Sequence, residues 1–171
     1  VLLLRQALRL VGSNEVVIAL VLALWLLILA AGSTLGAALL PRLGSASQVF
    51  GARLLALSVA VPASVLLLPW VISWKAMVPG VLPGVGALLP GLCLALLPLG
   101  LVGGSLFPLA CRLLTSTSSH PVKLAYLLEA IGFFIAGTGL SFIFAPHLSS
   151  LMLASCLALP GIGMGLRLLL P

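Results

Sequence analysis

The stretch EVVIALVLALWLLILAAGSTLGAALL, Glu15–Leu40, decides the fold. Its one ionisable side chain is Glu15, at the start, and everything after it is apolar or small. An α-helix needs about 20 apolar residues to cross a hydrocarbon layer roughly 30 Å thick, and this run is longer. Lipid satisfies no backbone N–H or C=O group, so only helices and closed barrels span it. Barrel strands alternate in polarity, and this run does not. It therefore reads as a spanning helix. Ser13 or Asn14 suits its cap, and Glu15 lies in the first turn, where the helix dipole favours an anion. Gly32 and Gly36 form a GxxxG among small neighbours, a surface on which a second helix packs closely.

The rest of the chain follows the same pattern. It is 63% hydrophobic and 6% charged, with a mean hydropathy of +1.40. A soluble domain carries about 25% charged residues, so this chain lacks the polar surface to cover a water-facing globule. The expected architecture is all-α: one polytopic transmembrane helix bundle over residues 1–171, about six spans, with no soluble catalytic domain. Val1–Val11 reads as the tail of a first span whose beginning is cut away, and Pro171 as a second cut. The remaining spans are expected at about Ala52–Pro69, Leu92–Leu114, Val122–Ala145 and Leu151–Leu170. Pro41–Gly51 reads as a polar connection and Thr115–Pro121 as a loop. Met77–Gly91 holds three Pro-Gly pairs, which are turn signals, and is expected to lie in the interface or re-enter the membrane. Trp70 and Trp74 beside Lys75 read as an interfacial anchor.

The net charge of +6 comes from eight basic residues spread singly near helix ends. That pattern sets topology and does not make a nucleic-acid surface. Arg42, Arg53, Arg112, Lys123 and Arg167 fall on one side, against Arg9 and Lys75 on the other. The positive-inside rule puts the Arg42 and Arg112 loops in the cytoplasm, with the Pro-Gly stretch and His147 outside.

Few residues are able to carry chemistry. The chain has no Asp, and its two acids are Glu15 and Glu129. Glu129 falls about two turns inside a span, where a carboxylate is costly and faces the bundle interior or a partner. Tyr126 and Phe133 share its face by helical spacing. Arg112, at the end of the preceding span, is the expected partner in an intramembrane polar pair; a proton or substrate relay is the alternative. Arg5, Arg9 and Glu15 form a candidate outer-side polar cluster. His120 and His147 fall in loops on opposite sides. Cys93, Cys111 and Cys156 are an odd, widely spaced set with no CxxC, which suits free thiols filling packing gaps. Gly161, Gly163 and Gly165 lie inside an apolar helix and read as a packing feature. No catalytic set, cofactor or metal site is expected.

Several segments, in order, resemble a known family. They are Leu3-Leu4-Arg5-Gln6 through Gly12-Ser13-Asn14-Glu15 with the Gly32–Gly36 span, then Gly104-Ser-Leu-Phe-Pro-Leu-Ala-Cys-Arg-Leu-Leu114. The last is Tyr126-Leu-Leu-Glu129-Ala-Ile-Gly132, with Gly137 behind it. Together they resemble the membrane region of fused transporter-like/spermidine-synthase-like integral membrane proteins. Gly36–Gly44 also resembles the loop between the second and third helices of major-facilitator transporters, with Pro41 where that loop normally has Asp. The resemblance implies a membrane bundle followed by a Rossmann-like aminopropyltransferase-type domain. Its matching polar positions here are Arg5, Glu15, Arg112, Tyr126 and Glu129.

Three functions are compatible with these residues. The first is a non-catalytic integral membrane subunit or anchor, partnered by lipid, by other membrane helices and by a soluble synthase-like domain. The second is a half-module of a secondary transporter. The third is the membrane part of a fused aminopropyltransferase-like enzyme whose catalytic domain lies outside this chain. The expected location is the bacterial inner membrane.

Overall fold

A computed structural model describes residues 2–11, 15–39, 45–75, 85–144 and 147–170. They form α1 (Leu2–Val11), α2 (Glu15–Leu39), α3 (Ala46–Lys75), α4 (Val85–Leu114), α5 (Pro121–Thr138), a π-helical turn (Gly139–Phe144) that continues α5, and α6 (Ser150–Leu169). No strand occurs among the described residues. Five helical segments, Glu15–Leu39, Ala46–Val71, Leu89–Leu114, Pro121–Phe144 and Ser150–Leu169, are long and apolar enough to cross a membrane. The protein is thus an all-helical membrane bundle, with the ten-residue α1 packed mainly against α3 and α2.

Two boundaries differ from the sequence reading. The third span starts at Ala46 instead of Ala52, because Val49 N–H already donates to Ser45 C=O at 3.1 Å. The polar residues Ser45–Gln48 are thus the helix's first turn and not a connection. The fourth helix begins at Val85, so Pro90-Gly91 lies within α4 and not in a turn. Proline is tolerated inside membrane helices because neighbouring groups re-satisfy the backbone it disrupts. The earlier part of the Pro-Gly stretch, the Ser13–Asn14 cap and Arg42 lie outside the described residues.

Local signals explain the other ends. Pro121 opens α5, where a missing N–H costs nothing. Ser149 caps α6 by accepting from Met152 N–H at 3.3 Å. Replacing this cap, Ser149→Ala, is expected to cost about 0.5–1 kcal/mol, read as a lower unfolding midpoint in mixed micelles, with Ser149→Asp close to wild type. An unchanged midpoint for the alanine variant would show that the cap contributes nothing. Within the spans, hydroxyls turn back on their own helix: Ser58 donates to Leu54 C=O (2.8 Å), Ser105 to Val102 C=O (2.6 Å) and Ser155 to Leu151 C=O (3.0 Å). This is the cheapest way to carry a hydroxyl through lipid.

The core lies where α1, α2, α3 and α4 meet, with Ala7, Val17, Val21, Leu68, Leu92, Ala95 and Leu96 buried together. The principal helix pairs are α2 with α4, α3 with α6 and α3 with α4. Among the described residues of α5, Ala125 is the buried one, and the helix touches the bundle mainly through α4.

Candidate functional site

Two seams of small residues hold the bundle, and both follow from missing Cβ atoms. On α2, a Cβ at Gly32 would stand 2.6 Å from the carbonyl oxygens of Gly100 and Leu101, and one at Gly36 would stand 2.8 Å from Ser105. α4 answers in kind: a Cβ at Gly100 would meet Ile28 at 2.7 Å, and one at Gly104 would overlap Leu29 C=O. The contacting numbers rise together along both helices, so α2 and α4 run parallel. The Gly32–Gly36 packing surface read from sequence is therefore in use, and its partner is Gly100xxxGly104. The second seam joins α3 and α6. Gly51 and Gly165 face each other, with a Cβ on either about 2.9 Å from the other's carbonyl oxygen, and Gly161 lies against Ser58. Here the numbers run in opposite senses, so the pair is antiparallel. Gly163, between them in sequence, faces open space. Such close approach is how helices associate in lipid, where van der Waals contact replaces the hydrophobic effect.

Sequence reading missed Gly100, Gly104 and Gly51. Their signal was present, since Gly100 and Gly104 are four apart and Gly51 precedes an apolar run. Small residues abound in these helices, however, and only the partner shows which face closes.

A second device sits where α1 meets α3. Pro69 has no N–H to give the carbonyl four residues earlier, Val65. Gln6 Nε2 donates to that carbonyl at 2.8 Å. Nearby on α1, Arg5 is half-buried, with its Nη1 buried and lacking a hydrogen-bond partner; Gln6 Oε1 and Ser64 Oγ are in the same condition. Arg9 and Glu15 are exposed, and among the described residues no hydrogen bond or ion pair joins them to each other or to Arg5. Arg5, Arg9 and Glu15, expected as an outer-side cluster, are thus near in chain but not knitted together.

Glu129 is half-buried on α5, the helix that packs mainly on α4. Arg112 is exposed at the end of α4. Tyr126, expected on the same face as Glu129, is 68% exposed and turned outward. His120 and His147 are exposed at opposite ends of α5 and its π-helical continuation. Cys93, Cys111 and Cys156 are free thiols. Among the described residues no three His, Cys, Asp or Glu side chains converge in a metal-holding group.

α2 and α3 each pack on α4, and among the described residues they hardly touch one another. Between them runs an open groove of about 270 Å³, lined by Gly32, Gly36 and Leu39 from α2, Arg53 from α3, and Leu101 and Val102 from α4. Comparison of the chain with known protein families, characterised proteins and solved structures gives no match.

Proposed function

We propose that this protein is a non-catalytic integral membrane scaffold that anchors a soluble domain or a larger complex to the bilayer. The observation that carries the reading is the contrast between α5 and the rest of the bundle. The glycine seams of α2–α4 and α3–α6 are closed within the chain. Gly132, Gly137 and Gly139 have nothing within 4 Å of where a Cβ would stand. Phe133, Phe134, Ile135, Phe142 and Phe144 are exposed around them. A helix with glycine notches and aromatic ridges left open suits docking against a further membrane helix. The soluble partner in this reading is a synthase-like domain, as the resemblance of Gly104–Leu114 and Tyr126–Gly132 implies. The membrane is the bacterial inner membrane, with the Arg112 end cytoplasmic.

A photo-crosslinking residue at Phe134 tests it. In native membranes it is expected to give one protein adduct of defined mass, while the same residue at Leu27, exposed on α2 away from those notches, gives none. Equal behaviour at both positions would remove the scaffold reading. A transporter half-module is the second reading, favoured by Glu129, a half-buried carboxylate within a spanning helix. Uptake that is abolished by Glu129→Gln and kept by Glu15→Gln would favour the transporter. Lost assembly in Glu129→Gln, with no transport in either variant or wild type, would favour the scaffold.

A further inference from the structure

The groove between α2 and α3 contains a cation that no described residue neutralises. Arg53 is half-buried there, and among the described residues no hydrogen-bond or ion-pair partner engages it. It lies seven residues into α3, about 10 Å along the helix. Neither acid of the chain lines the groove. Glu15 opens α2 at the end opposite Leu39, about 36 Å along that helix. Glu129 belongs to α5, which contributes no residue to the groove. The counter-charge for Arg53 must therefore come from outside the described chain.

The rest of the groove says what kind of molecule brings it. Apart from Arg53 its lining is entirely aliphatic or glycine. Gly32 and Gly36 seat α2 directly on α4, and among the described residues α2 and α3 hardly touch across it, which leaves the furrow between them. Its volume of about 270 Å³ falls just below the roughly 300–1,000 Å³ of sites that enclose a whole drug-sized solute. It is open along one side, as a furrow for one hydrocarbon chain would be. Its cation lies in the first quarter of α3, at the same end of the bundle as Arg112 and Arg167 in the last turns of α4 and α6. A guanidinium there reaches headgroup level by laying its methylene stem along the furrow. Basic side chains between spanning helices recognise anionic headgroups in this way.

From these observations we infer that the Arg53 groove binds an anionic phospholipid, one acyl chain lying along Gly32, Gly36, Leu101 and Val102 and the phosphate accepting hydrogen bonds from the Arg53 guanidinium. Arginine suits the role because its planar fork of N–H groups matches two phosphate oxygens at once. The inference is independent of the scaffold reading: a scaffold, a transporter half and an anchor each carry the same groove.

Native mass spectrometry of the full chain, released from nanodiscs of phosphatidylglycerol mixed equally with phosphatidylcholine, tests it. The wild type is expected to retain the anionic lipid about five- to tenfold over the zwitterionic one, the scale of one cation near a charged surface. Arg53→Gln is expected to bring the ratio close to one, and Arg53→Lys, which keeps the charge without the fork, to keep part of it. Leu39→Trp, which fills the furrow without touching the charge, is expected to lower retention of both lipids. Excess inorganic phosphate is expected to leave the bound lipid in place. No preference in the wild type overturns the inference. So does a preference that survives Arg53→Gln, displacement by inorganic phosphate, or a bound protein that excludes both lipids. The Arg53→Lys variant separates loss of binding from loss of fold, since it keeps the charge and the stem.

Discussion

Gly104→Leu is expected to separate α2 from α4. A Cβ at this position would overlap the carbonyl oxygen of Leu29 and stand 2.9 Å from Ser33 N, and both are backbone atoms of α2. A flexible side chain could swing away, but a helix backbone has to move as a body. Overpacking a closed interior costs about 1–3 kcal/mol, and this site belongs at the upper end or beyond, because the whole α2–α4 contact must open. The expected result is a fall of about 3 kcal/mol in unfolding free energy, measured by SDS titration in mixed micelles. Gly163→Leu is the control. It keeps the same residue change in a spanning helix but points into open space, so its effect is expected to stay within about 1 kcal/mol. If the two variants fall equally, close glycine packing is not what joins α2 to α4.

The second large effect concerns Gln6 and Pro69, and it appears as a coupling. Gln6→Leu leaves the Val65 carbonyl buried with no donor, since Pro69 supplies none. The penalty for such an orphan is about 1–3 kcal/mol. Part of it is offset, because Gln6 Oε1 is itself buried without a partner and the substitution removes it. The net cost expected for Gln6→Leu is about 1–2 kcal/mol. In a Pro69→Ala background the helix regains its own N–H donor to Val65, and Gln6→Leu is expected to cost little. The coupling energy from this double-mutant cycle should exceed the roughly 0.6 kcal/mol average of intramembrane hydrogen bonds, because here the backbone has no alternative donor. A coupling near zero would mean that Val65 is satisfied by something other than Gln6.

The spans were legible from Glu15–Leu40 outward because lipid imposes one rule, a continuous apolar run about 20 residues long, on every crossing segment. Their ends were less legible. Pro90-Gly91 carries a turn signature learned from water, where a lost backbone hydrogen bond favours a loop; inside the bundle the same pair sits in α4. The polar residues before Ala52 looked like a connection, yet a helix's first turn is polar for the same reason. Gly32 and Gly36 were readable as a packing face, whereas Gly100 and Gly104 became visible only through them, since a seam is a property of two helices. The expectations for Glu129 divide in the same way. Its own partial burial agrees with a carboxylate inside a span. The outward turn of Tyr126 follows from how little of α5 is covered, which no residue spacing records.

The parallel pairing of α2 with α4 also sets an order of events during synthesis. Gly36 and its contact Ser105 lie 69 residues apart in the chain. At about 5–20 residues per second, a ribosome needs roughly 3–14 seconds to travel between them. For that interval α2 is already in the membrane with its glycine notch unmatched, while α3 is being threaded back across. The nascent bundle therefore assembles around a vacancy that α4 fills on arrival. During those seconds α2 is most open to pairing with the wrong helix.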